Sequence, residues 1–92
     1  MRRVGQVRRR DTAEGPIVRA LEAVGAQVVR CSEPGAPDVF VFHRGQWYAA
    51  EIKSKGGRLT PAQVEAGAGA TWPVWRTPGD ALTALGLKAV DG

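Results

Sequence analysis

Asp38 and the triplet Glu51-Ile52-Lys53 stand thirteen residues apart and bring two carboxylates and an ammonium to neighbouring segments. Those residue types suit hydrolysis of a phosphodiester. Carboxylate oxygens bind hard divalent cations such as Mg²⁺, which keep several waters, so two acids plus one backbone carbonyl suffice. The carbonyl of Ile52, between the acid and the lysine, would serve as a third protein ligand. Lys53 would orient the attacking water or stabilise charge developing at phosphorus. The competing reading is a cross-strand ion network in which Lys53 neutralises the two acids.

Hairpin geometry must bring these residues together. Val39-Phe40-Val41-Phe42 reads as one strand and Trp47 to Ile52 as its neighbour. If Arg44-Gly45 is a two-residue loop, paired residue numbers sum to 89 and Asp38 falls opposite Glu51. Lys53 follows on the same face by alternation. Arg is a poor first residue for a type I′ turn, so a three-residue loop with a Gly bulge competes. A one-residue slip would send Asp38 to a diagonal position or to the opposite face. One face of the hairpin carries Phe40, Phe42, Trp47 and Ala49, the other Val39, Val41, Tyr48, Ala50 and Ile52. Both are apolar, which predicts a central hairpin covered on both sides.

The remaining elements follow from periodicity and punctuation. A first helix ends near Val24 and Gly25, with Ile17, Val18, Leu21 and Val24 as its apolar stripe. Gln27 to Cys31 reads as a strand, and Ser32 to Ala36 as a turn-rich loop leading to Pro37-Asp38. Lys55-Gly56-Gly57-Arg58 reads as a flexible connection before a second helix that opens at Thr60-Pro61-Ala62-Gln63. Trp72 to Arg76 is a strand that Pro73 confines to an edge or a bulge. Thr77-Pro78 opens a last helix carrying Leu82 and Leu85. The order predicts an α/β fold, an αβββαβ core with a mixed sheet flanked by helices. A parallel crossover would join the strands on either side of the second helix.

Two further polar residues have both a structural and a chemical reading. Asp11-Thr12-Ala13-Glu14 has the spacing of a capping box, and Glu14 from that helix could also approach a metal. Gln63 closes a capping box with Thr60, or turns its amide toward a phosphate or a metal-bound water. His43, at the hairpin turn, reads as a surface residue. The tryptophans read as core or as platforms for stacked bases.

Composition bounds the partners. The chain of 92 residues carries a net charge of +4 and is 43% hydrophobic, enough for one small core. Arg2, Arg3, Arg8, Arg9 and Arg10 make residues 1–10 a basic arm before a single domain over 11–92, and Lys55 and Arg58 flank the acids. This clustering suits a phosphate backbone. No apolar run approaches the length of a membrane span, and no apolar signal core follows the basic N-terminus, so a cytoplasmic protein is expected. The single Cys31 excludes an internal disulfide.

Taken together, Pro37-Asp38 and Glu51-Ile52-Lys53 resemble the two core motifs of the PD-(D/E)xK nuclease superfamily. More narrowly, the order Glu14, Gly35-Ala36-Pro37-Asp38, Glu51-Ile52-Lys53 and Gly57-Arg58-Leu59-Thr60-Pro61-Ala62-Gln63 is similar to a stand-alone VRR-NUC domain of phage or bacterial type. The resemblance spans about residues 11 to 86. It implies Mg²⁺- or Mn²⁺-dependent endonucleolytic cleavage of DNA, structure-specific on branched forms, by a homodimer in a bacterial or phage-infected cell. It also implies functional roles for Glu14 and Gln63. The alternatives are a catalytically inactive nuclease fold used for DNA binding or recruitment, and an RNA-binding fragment driven by the arginine arm.

Overall fold

A computed structural model describes residues 12–87, and its chain order is α1 (Glu14–Ala23), β1 (Gln27–Arg30), β2 (Val39–His43), β3 (Gln46–Ile52), α2 (Pro61–Ala66), β4 (Val74–Trp75) and α3 (Pro78–Ala84). The arginine arm, Asp11 and the last five residues lie outside the described residues. The four strands form one sheet in the order β1-β2-β3-β4. β1, β2 and β3 are antiparallel neighbours, whereas β4 pairs with β3 in parallel after the crossover through α2. The expected mixed α/β sheet flanked by helices is therefore present.

The hairpin loop has two residues. Arg44 (φ 51°) and Gly45 (φ 82°) both take positive φ, as a type I′ turn requires. The ladder runs from His43↔Gln46 to Val39↔Ala50, the register in which residue numbers sum to 89. Its far end departs from the simple extension. The Asp38 N–H donates to the carbonyl of Ala50 at 3.0 Å, although Ala50 is already the ladder partner of Val39. Two residues of one chain sharing one residue of the other is the arrangement of a β-bulge. Asp38 is thus not a simple cross-strand partner of Glu51.

One face of the sheet holds the core. Ile17 and Leu21 of α1, Ala81 of α3 and the adjoining Leu85 pack with Val39, Val41, Ala50, Ile52 and Trp75. This stripe is more than 90% buried, whereas Val24, expected to extend it, is the C-cap of α1 and is exposed. His43 shares the parity of Val39 and Val41 and is buried, which corrects the surface reading. The expected cover on both faces is also corrected. On the second face Trp47 is 64% and Val29 51% exposed, and Phe40, Phe42 and Ala49 are half-buried. Trp47 leans on Phe42 with ring centroids 5.0 Å apart.

Local signals explain the helix ends. α1 stops in a Schellman arrangement, with Gly25 at φ 86° and the Ala26 N–H donating to Leu21 O. α2 and α3 each begin with a Thr-Pro pair and a complete capping box, Thr60 with Gln63 and Thr77 with Asp80. The box proposed for Asp11-Thr12-Ala13-Glu14 needs Glu14 at the third helical position, and Asp11 itself lies outside the described residues. Glu14 is the first residue of α1, and Ala13 is an N-cap without a side-chain hydrogen bond.

Candidate functional site

Asp38 is tethered at three points. Its carbonyl accepts from Cys31 N–H at 2.8 Å, its N–H donates to Ala50, and its Oδ2 accepts from Ile52 N–H at 2.8 Å. The last bond has a backbone cause. Glu51 N–H donates to Pro73 O and Lys53 N–H to Trp75 O, so both turn toward β4. Alternation then turns the N–H and C=O of Ile52 toward the β2 side, where Asp38 stands at the end of the ladder. Asp38 and Glu51-Ile52-Lys53 are therefore neighbours, joined through the Ile52 amide rather than by ladder pairing.

Glu51 belongs to the second face of the sheet, yet it is only 4% exposed. Its cover is local. Gln63 of α2 donates from Nε2 to Glu51 Oε2 at 2.7 Å, while Gln63 Oε1 accepts from Thr60 N–H at 2.8 Å. One amide closes the capping box and holds the acid with its two ends. The capping box expected of Gln63 is formed, and because N3 of α2 faces the end of β3 its other amide end meets the Glu51 carboxylate.

Glu14 is a third buried acid, 4% exposed. Its Oε2 lies 3.1 Å from Nε of Arg30 on β1. Among the described residues no three His, Cys, Asp or Glu side chains gather to hold an ion. Glu14 is thus placed with Arg30, and the structure does not bring it together with Asp38 and Glu51 as a three-carboxylate cluster. A cation here would draw on Asp38, Glu51, the Ile52 carbonyl and water. That set is all oxygen, which fits Mg²⁺ or Mn²⁺ and not a soft metal.

Lys53 is half-buried just past the end of β3. The connection after it is tied down, where the sequence suggested flexibility. Arg76 donates from Nη1 to Ser54 O at 2.9 Å and to Gly57 O at 2.6 Å, and Gly57 N–H donates back to Ser54 O. A Cβ on Gly57 would meet Ser54 O at 3.1 Å and Lys53 Cβ at 3.7 Å, so the turn is folded against the lysine. Lys55 and Arg58 are exposed on this turn, while Arg8, Arg9 and Arg10 lie outside the described residues.

Beside Glu51 and Gln63 lies a cavity of about 240 Å³. Gly35 and Ala36 of the loop before Asp38 form one part of its wall, and Ala62 and Ala66 of α2 another. Pro34, Thr60 and Trp72 also line it. The buried Nε1 of this tryptophan has no hydrogen-bond partner among the described residues, a cost of about 1–3 kcal/mol. Arg76 was not singled out from the sequence, and Trp72 was read there as core or as a platform for a stacked base. The signal was the parallel pairing of β4 with β3, which carries residues flanking β4 back beside Glu51 and Lys53.

Among the described residues no helix is long and apolar enough to cross a membrane. No protein-family model, no curated protein and no solved structure matches the chain, so the fold and the geometry of Asp38, Glu51, Lys53 and Gln63 stand as the observations from which function is read.

Proposed function

We propose that the chain is a Mg²⁺- or Mn²⁺-dependent DNA endonuclease of the PD-(D/E)xK type, resembling a stand-alone VRR-NUC domain. The observation that carries this reading is the hydrogen bond from Ile52 N–H to Asp38 Oδ2, which couples one buried acid to the Glu51-Ile52-Lys53 triplet containing the other. Acids are rarely buried without a partner or a metal to compensate them, so two beside one lysine favour a cation site over a solvated face.

In this reading Asp38, Glu51 and the Ile52 carbonyl hold the cation. A bound divalent ion supplies Lewis-acid polarisation of a phosphoryl oxygen and lowers the pKa of water. The protein's own groups do the rest. Gln63 fixes the Glu51 carboxylate through Nε2, and Lys53 orients the attacking water and stabilises charge developing at the phosphate. Arg30 and Glu14 form a supporting pair at the start of α1. Lys55, Arg58 and the arginine arm hold the DNA backbone by displacing its counterions. A homodimer inside a bacterial or phage-infected cell, acting on branched DNA, belongs to the same proposal. The open apolar face around Val29, Phe42 and Trp47 supports self-association.

The test is cleavage of duplex, flap, single-stranded and four-way-junction DNA with Mg²⁺ or Mn²⁺, comparing wild type with Lys53→Ala. Loss of cleavage with DNA binding retained is the expected outcome. Equal cleavage by both proteins, in preparations free of contaminating nuclease, would sink the mechanism. Binding without cleavage by wild type would favour the inactive recruitment module.

A further inference from the structure

The cavity beside Glu51 goes unused by the chemistry assigned above. Its volume of about 240 Å³ lies just below the usual ligand-pocket range of about 300–1,000 Å³, which suits a single ring system rather than an extended ligand. The walls at Gly35, Ala36, Ala62 and Ala66 are small and aliphatic, and Trp72 adds an indole. Polar groups come from Glu51, Gln63 and Thr60. A flat aromatic ring with polar edges matches that lining: small residues leave room for its faces, and polar side chains meet its rim. Glu51 is shared between the cavity and the acids that would attack the phosphate.

We propose that this cavity receives one nucleobase of the substrate, from the nucleotide next to the cleaved phosphate. The inference rests on the nuclease reading and narrows its substrate class. A base within continuous duplex is stacked on both sides and must leave the stack to enter a walled cavity. An unpaired nucleotide does so at lower cost. The protein therefore prefers DNA with an unpaired nucleotide over uninterrupted duplex by roughly tenfold or more, the factor that corresponds to 1.4 kcal/mol.

The experiment uses the full chain with Ca²⁺ in place of Mg²⁺, and two DNA duplexes, one continuous and one carrying a single unpaired 2-aminopurine. Wild type is expected to change the 2-aminopurine fluorescence and to bind the second duplex more tightly. Ala62→Leu and Ala66→Leu fill the cavity from α2 and are expected to lose both effects while binding continuous duplex as wild type does. Ala62 is exposed, so leucine there leaves the core untouched. Val64→Ser, on the same helix but outside the cavity, is expected to behave as wild type. A fluorescence change and a preference that persist in both leucine variants overturn the inference, as does a wild type without either effect. Cleavage of the same DNA with Mn²⁺ separates the two levels. A protein that cleaves without the fluorescence response refutes the cavity assignment alone. One that gives the leucine-sensitive response and never cleaves refutes the nuclease and leaves a base-binding cavity. Absence of any DNA binding refutes both.

Discussion

Gln63 offers the sharpest separation of cap from site, because its two amide ends have different partners. Gln63→Ala removes the acceptor for Thr60 N–H and the donor to Glu51. The first bond is exposed and contributes about 0.5 kcal/mol; the second, to a charged acceptor in a partly buried place, contributes about 1.5–2 kcal/mol. The sum is about 2 kcal/mol, and at 4–8 °C per kcal/mol the melting temperature should fall by about 8–16 °C. Gln63→Glu keeps the capping acceptor, since Glu serves this position as well as Gln. It also places a second carboxylate where a donor now sits 2.7 Å from Glu51 Oε2. Two like charges about 4 Å apart at an effective dielectric of about 20 repel by about 4 kcal/mol before side chains move away. In EDTA, Gln63→Glu should therefore melt below Gln63→Ala despite its intact cap. Mn²⁺ at about 100 times its dissociation constant contributes about 2.7 kcal/mol to a protein that binds it. It should raise all three melting temperatures, and by compensating the paired carboxylates it should narrow the gap between the two variants. The assay is thermal melting followed by circular dichroism in EDTA and in Mn²⁺. A Gln63→Glu protein at least as stable as Gln63→Ala in EDTA would refute the Glu51 contact. Melting temperatures indifferent to Mn²⁺ in wild type would refute the cation site.

Four other substitutions test separate parts of the structure. Asp38→Asn keeps an oxygen for the Ile52 N–H, so folding should persist while Mn²⁺ affinity by calorimetry falls at least roughly tenfold, about 1.4 kcal/mol. Arg44→Asn relieves a positive φ in the type I′ turn and should stabilise by about 0.5–1 kcal/mol in urea unfolding. Gly67→Ala meets both φ 115° and a Cβ 2.8 Å from Thr71 Oγ1, so a loss of more than about 2 kcal/mol is expected by the same measurement. Arg76→Met releases Ser54 O and Gly57 O and should cost about 1–3 kcal/mol. Hydrogen exchange at the Gly57 amide should accelerate with it.

Several features were legible because their signals are short in range. Thr60-Pro61 and Thr77-Pro78 announced both helix starts through contacts three residues apart, and the structure forms both boxes. The Arg44-Gly45 loop set the hairpin register, since loop length and register are coupled. His43 was also within reach: its place two residues from Val41 put it on the buried face, but its position at a turn suggested surface. Glu14 was left open between a helix cap and a role beside a metal, and it stands at the first position of α1 rather than the third, because capping-box spacing says nothing of where the first helical turn begins.

The sequence by itself determined the elements and their order, since periodicity and caps are local constraints, and it made the approach of Asp38 to Glu51-Ile52-Lys53 depend on whether the loop at Arg44-Gly45 had two residues or three. Only the tertiary structure decided how that approach is made. The Asp38 bulge, the Gln63 amide on Glu51, the Arg30 partner of Glu14 and the Arg76 hold on the turn after Lys53 all join residues from different elements. Such contacts depend on which faces pack and on where β4 enters beside β3, and no local spacing encodes them. The same packing leaves one face of the sheet open and the other closed by α1 and α3, although both faces of the hairpin are written in apolar residues.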